Sequence, residues 1–258
     1  MALLKRILIT NDDGIDAPGL AVAAEVAAEL AQEVWVSAPA TDCSGVSRQV
    51  SLHVPLRIIR HDERRISVTG SPADSVVVGL RHLMRDTPPD LVLSGINAGT
   101  NHASEVGFSG TVGAALTARL LGVPAIAMSQ AWVERGVLQW ATSKAWLPKA
   151  ITQLLNHGPL PETAIYNINV PNAAADEIQG IEITRLGTQL RLDVDLDHRV
   201  DHREREYFWL KFGREPQPDA RDTDADALRR NVISIAPIAQ DHTDHALYAD
   251  MAANFVAK

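Results

Sequence analysis

The stretch RILITNDDGIDAPGL, Arg6 to Leu20, decides the fold. Ile7, Leu8 and Ile9 form an apolar run bounded by turn formers, which reads as a strand buried on both faces. Asn11-Asp12-Asp13-Gly14 stops it. Pro18, suited to a first helical turn, then opens a segment rich in Ala, Leu, Val and Glu that reads as a helix to Ala31. The two adjacent carboxylates raise a chemical question, because an Asx-type turn needs only one. Side by side they repel, unless a cation or several hydrogen-bond donors lie nearby. From these residues alone, turn chemistry and a metal site remain equal alternatives.

The pattern continues outward from this unit. Val34-Trp35-Val36 reads as a second strand, and after the polar loop APATDCSGVSRQ the segments Val50–Arg60 and Ile66–Thr69 read as short strands of a hairpin. Ser71-Pro72-Ala73-Asp74 combines an N-cap, a proline at the first helical position and an acid three residues after the cap, so a helix begins there and runs through Val76–Met84. Asp90–Ile96 (DLVLSGI) is another buried strand, Gly110–Leu121 a helix closed by Gly122, and Ala125–Met128 a further strand. Alternating strands and helices indicate a doubly wound, mostly parallel, Rossmann-like α/β sheet covered on both faces.

From about Thr163 the pattern changes. IYNINVP and IQGIEITRLG read as strands without a long helix between them, and Thr188–Asp226 is strongly charged with poor periodicity. Within it Leu192, Val194 and Leu196 alternate with aspartates, followed by Tyr207-Phe208-Trp209. Asn231–Ile238 returns to strand, and His242–Val256 reads as a closing helix. The expected organisation is one continuous structural domain. Residues 1–160 form the α/β core, and 161–258 add a β-rich extension that either packs on the core or reaches toward another subunit, a last strand and a helix.

Composition limits the function. At 258 residues and 46% hydrophobic the chain buries a sizeable core, and a net charge of −8 argues against broad binding to nucleic-acid duplexes or anionic membranes. A single cysteine, Cys43, forms no intramolecular disulfide and suits a reducing compartment. With no signal-peptide pattern and no apolar run approaching ~20 residues, a cytoplasmic protein is expected.

In open parallel sheets ligands bind beyond the carboxyl ends of the strands. Three loops leave at that edge: Asn11–Gly14, Thr41-Asp42-Cys43-Ser44-Gly45, and Asn97-Ala98-Gly99-Thr100-Asn101. Together they offer carboxylate, hydroxyl and amide oxygens, which suit Mg²⁺ or Mn²⁺ better than zinc. Ser109-Gly110-Thr111 follows at a helix start, where free N–H groups and the helix dipole favour an anion, although Ser109 taken alone reads first as a plain N-cap, which uses the same donors. A phosphate held there, beside a cation held by the loops, makes a coherent site.

Taken in order, NDDG at 11–14, APATDCSGVS at 38–47, TGSPADSV at 69–76, SGINAGTN at 94–101, SGTVGAAL at 109–116, NINVP at 167–171 and VISIAPI at 232–238 resemble the SurE family of stationary-phase survival proteins, metal-dependent 5′/3′-nucleotidases. The resemblance implies one divalent metal ion per subunit on Asp12, Asp13, Ser44 and Asn97, with Asn101, Ser109, Gly110 and Thr111 near the phosphate. It also implies a homodimer or homotetramer assembled partly through the C-terminal third. Asp12 and Asp13 would supply the charge that holds the cation, and either would take a proton from water. Two positions depart from the family: Thr100 stands where proline is common, and Phe108 where tyrosine or histidine is common.

Other motifs are weaker. Asp193, Asp195, Asp197 and Glu204 match a calcium-loop template, but His198 occupies the glycine position. Gly107–Thr111 lacks the last glycine of G-x-S-x-G. No G-x-G-x-x-G follows the first strand, and no Walker G-K-[ST] is present. The histidines at 198, 202, 242 and 245 read as solvated. The alternative to an enzyme is a non-catalytic nucleotide- or anion-binding regulator using the same helix start.

Overall fold

The computed structural model describes residues 2–132, 137–187, 193–213 and 220–255. In chain order the elements are β1 (Leu4–Thr10), α1 (Pro18–Leu30), β2 (Ala31–Pro39), β3 (Ile58–Arg60), β4 (Arg65–Val68), α2 (Pro72–Val78), β5 (Leu91–Ala98) and α3 (Gly110–Leu120). They continue with β6 (Ala125–Gln130), α4 (Trp140–His157), β7 (Ala164–Val170), β8 (Gly180–Ile183), β9 (Asp193–Val200), β10 (Glu206–Gly213), α5 (Asp224–Arg229), β11 (Val232–Ala239) and α6 (His245–Asn254).

Nine strands form one sheet in the order β3-β4-β2-β1-β5-β6-β7-β11-β8. The pairs from β4 through β7 are parallel, while β3 on β4 and β11 on β7 are antiparallel. From β1 the chain winds one way through β2 and β4, then returns to the other side of β1 with β5, β6 and β7. The reversal lies between β1 and β5, and crevices open at such points.

Burial follows the period-two alternation of strands. Ile7, Ile9, Leu91, Leu93, Ile126 and Met128 face one cluster with Leu20, Val26 and Leu30 of α1 and Leu147, Ile151 and Leu154 of α4. Leu8, Val92, Ala125 and Ala127 face the other, with Val76 of α2 and Val112, Ala115 and Leu116 of α3. Each helix covers one face with small or branched apolar residues, and β6 and the first six residues of β5 are buried on both faces.

Several expected boundaries shift. The strand anticipated from Val50 begins only at Ile58, because Ser51 turns inward and donates from its N–H and hydroxyl to Asp74 at 3.0 and 2.7 Å. The helix starting at Ser71 has the anticipated reciprocal capping, but regular α-helix stops at Val78 and Gly79–Leu83 is π-helical. The closing helix starts three residues later than expected, capped by Asp244, whose side chain accepts from the Leu247 N–H at 3.0 Å. No helix was anticipated at Trp140–His157. Beyond residue 160, β7, β11 and β8 extend the core sheet, whereas β9 and β10 form a separate antiparallel hairpin. Leu192 and Val256 lie outside the described residues.

Candidate active site at the β1–β5 switch point

The turn after β1 carries Asp12 and Asp13. Asn11 closes it by donating from Nδ2 to the Gly14 carbonyl at 2.9 Å. The loop after β2 is tied to this turn, because the Cys43 N–H donates to the Asp12 carbonyl at 2.8 Å. Within that loop the Ser44 N–H and hydroxyl both donate to Asp42 Oδ1, at 2.8 and 2.7 Å. From the far side of β1, the Ala98 N–H at the end of β5 donates to Asp13 Oδ2 at 3.2 Å. Asn97 braces the same loop by donating from Nδ2 to the Gly99 carbonyl at 3.0 Å. The three expected loops therefore meet at one edge.

Asp12 is 3% exposed and sits against the start of α3. Thr111 donates from its hydroxyl to Asp12 Oδ1 at 2.6 Å. Gly110 makes the approach possible, since a Cβ there would stand 2.9 Å from Asp12 Cβ and 3.0 Å from Oδ2. Ser109 acts as the N-cap, accepting the Val112 N–H at 3.0 Å, and its carbonyl takes the Gly113 N–H. Much of the first turn of α3 is thus spent on Asp12 and on the cap. The positive end of the helix bears first on a carboxylate of this chain.

Electrostatics mark the pair. Burial holds the Asp12 carboxyl above the usual carboxylate range, against the lowering effect of the Thr111 hydroxyl and N–H. Asp13 is pushed up to about 7, by burial first and then by the charge of Asp12. Asp42 adds to both shifts. Among the described residues no basic side chain offsets either carboxylate. Cys43, in the same negative field, has its thiol raised by burial and by Asp42, Asp12 and Asp74, which makes it a poor nucleophile.

The donor set fits a hard cation. Among the described residues no three His, Cys, Asp or Glu side chains gather as a metal cluster, so an ion here would take two carboxylates plus neutral oxygens. Asn11 Oδ1, together with Thr10 Oγ1 and Ser94 Oγ, which are neighbours in the β1–β5 register, is buried without a hydrogen-bond partner. Buried oxygens beside two uncompensated carboxylates are what an oxygen-ligated cation satisfies.

Asn101 lies deeper than its loop position suggests, at 6% exposure. Its Nδ2 donates to Ser129 Oγ at 2.8 Å, its N–H to Asn169 Oδ1 at 2.9 Å, and its carbonyl accepts from Nδ2 of Asn167 and of Asn169 at 2.7 and 3.0 Å. Asn167 and Asn169 were not singled out from sequence. Their signal was there in NINVP, where two asparagines at i and i+2 put two buried amides on one face of a strand. Asp42 was likewise missed as part of the charge cluster, though it stands in the quoted loop.

The model of survival protein SurE matches residues 7–192. A protein named 5′-nucleotidase SurE 1 from Burkholderia lata is 45% identical over 246 residues, covering 95% of each chain. One named 5′-nucleotidase SurE from Brucella canis is 44% identical over 251 residues, covering 96% of this chain and 97% of its own. The crystal structure of the SurE protein from Aquifex aeolicus superposes with a TM-score of 0.82 at 30% identity, covering 97% of this chain and all of that one. Matched by the family model over most of its length and by relatives at 44–45% identity along nearly all of it, this protein belongs to the SurE family.

Proposed function

We infer that this chain is a nucleotidase, a phosphoric monoester hydrolase that releases phosphate from nucleoside 5′- and 3′-monophosphates with one divalent metal ion, Mg²⁺ or Mn²⁺, per subunit. The observation that carries this reading is the Asp12–Asp13 pair at the switch point, the first buried and the second half-buried, without a cationic neighbour among the described residues. The names of the curated relatives support the nucleotidase activity. Asp12, Asp13, Ser44 and Asn97 would hold the ion. When bound, it polarises the phosphoryl group and makes water acidic enough to attack at neutral pH.

The chain's own residues supply the rest. Asp12, fixed by Thr111, is the rigid member of the pair. Asp13, half-buried and held by the Ala98 N–H, is the freer of the two to take the proton of the attacking water. The start of α3 from Ser109 to Thr111 and the Asn101 loop lie where a phosphate would be received, and the positive end of the helix favours its negative charge. Attack in line with the ester oxygen then releases the nucleoside. A homodimer or homotetramer is supported by the exposed apolar side chains of the hairpin, Val194, Leu196, Val200, Phe208 and Leu210.

The test is phosphate release from 5′-AMP and 3′-AMP in chelator, followed by titration with Mg²⁺ or Mn²⁺. Activity absent in chelator and restored by metal is expected. Nucleotide binding in chelator without turnover under either metal would favour the non-catalytic regulator.

A further inference from the structure

A cavity of about 420 Å³ lies beside the Asn97–Asn101 loop, on the side away from the Ser44 loop, lined by Thr100, His102, Trp132, Asn172, Arg229 and Asn231 among others. Its volume is within the range of small-ligand sites. Trp132 follows the end of β6 and is 36% exposed, a large aromatic ring left open to solvent at the edge where ligands bind. The indole also rests on the loop itself: a Cβ at Gly99, whose φ is +144°, would stand 3.1 Å from Trp132 Nε1. Gly99 in turn accepts from Asn97 and donates its N–H to the Gln130 carbonyl at 3.0 Å. The aromatic wall and the proposed metal-binding loop are thus in direct contact.

We propose that this cavity is the nucleobase subsite, with the base stacked on Trp132 and its polar edge met by His102, Asn172 and Asn231. The assignment rests on the nucleotidase reading and adds to it the part of the substrate that the metal edge does not touch. An indole stacks on any base and so accepts purines and pyrimidines alike, while amide and imidazole groups reach hydrogen-bonding edges without demanding one base. The cavity on the opposite side, over Ala40, Cys43, Val46 and Ser71, has no aromatic ring in its lining. It offers a base no stacking surface. Arg229, with Asp226 at 4.0 Å, adds a cation at the rim of the Trp132 cavity.

The experiment compares kcat/KM for 5′-AMP with that for ribose 5-phosphate, which carries the same ester and no base, in the metal-loaded enzyme. Adenosine binding is measured by calorimetry in chelator alongside. Trp132→Ala is expected to lower the AMP-to-ribose-phosphate ratio by about 10-fold or more, mainly through KM for AMP, and to weaken adenosine binding similarly. Trp132→Phe, which keeps a stacking ring, should restore most of both. An unchanged ratio and unchanged adenosine affinity in Trp132→Ala would overturn the assignment, as would loss of base preference in Val46→Ala in place of Trp132→Ala. Failure of the wild-type protein to hydrolyse either ester, with adenosine still bound through Trp132, would remove the nucleotidase reading and leave the base site standing.

Discussion

Replacing Asp13 by asparagine should make the metal-free protein more stable, and the pH dependence of that gain can be worked out. The folded-state proton affinity of Asp13 is raised from 3.8 to about 7. Between those values the native state holds a proton that the unfolded state has lost, so stability falls as pH rises through this window and levels off above it. The penalty amounts to roughly 2 kcal/mol at pH 5 and on the order of 4 kcal/mol at pH 8. Asparagine keeps an oxygen for the Ala98 N–H and removes the charge, at about 1 kcal/mol for burying the amide. The variant should therefore gain about 3 kcal/mol at pH 8, or roughly 6–12 °C in Tm, and less than half of that at pH 5. Thermal unfolding of both proteins in chelator at the two pH values measures this. Adding Mn²⁺ should then raise the Tm of the wild type and leave Asp13→Asn nearly unmoved. A variant less stable than wild type at pH 8 in chelator would mean that Asp13 is compensated in a way the charge arrangement does not contain.

Asp12→Asn should abolish turnover while leaving the circular dichroism spectrum intact; near-normal rates at saturating metal would remove Asp12 from the metal site. Thr111→Val takes away the hydroxyl that holds Asp12 at 2.6 Å and should cost about 1–2 kcal/mol in transition-state stabilisation, seen as a 5- to 30-fold fall in kcat/KM. Ser109→Ala removes a helix cap and should cost about 1 kcal/mol of stability with a smaller kinetic loss than Asp12→Asn; a phosphoryl-serine trapped at this position by mass spectrometry would make Ser109 a nucleophile instead. Deleting the hairpin 193–213 should shift the protein toward smaller species in light scattering while metal still raises its Tm, and an unchanged oligomer would place the interface elsewhere.

How far the fold was legible depended on how local its causes are. β1, β5 and β6 could be read because strands buried on both faces leave uninterrupted apolar runs, and α2 because its cap, proline and acid are adjacent in sequence. Trp140–His157 was not read as a helix. Pro148 lies in its interior, and the features that override it are tertiary: Leu147, Ile151 and Leu154 pack into the core with α1, and the Trp146 Nε1–H donates to the Ala175 carbonyl at 2.9 Å. That β7, β11 and β8 join the main sheet was also out of reach, because pairing partners far apart in sequence leave no local trace.

That the three loops meet at one edge was legible, but the partners of each side chain were not, and the reason lies in the direction of donors. A helix start following a polar loop looks the same in sequence whether its N–H groups face a phosphate or a side chain of the same chain. Here Thr111 faces Asp12, and Ser109 faces its own helix. Thr111 therefore opposes the burial that raises the proton affinity of Asp12, while Asp13 is raised by burial and by the charge of Asp12. Under the proposed function, the carboxylate fixed by Thr111 serves as ligand and its neighbour takes the proton. Two identical residues in NDDG come to differ in surroundings through a contact made 99 residues away.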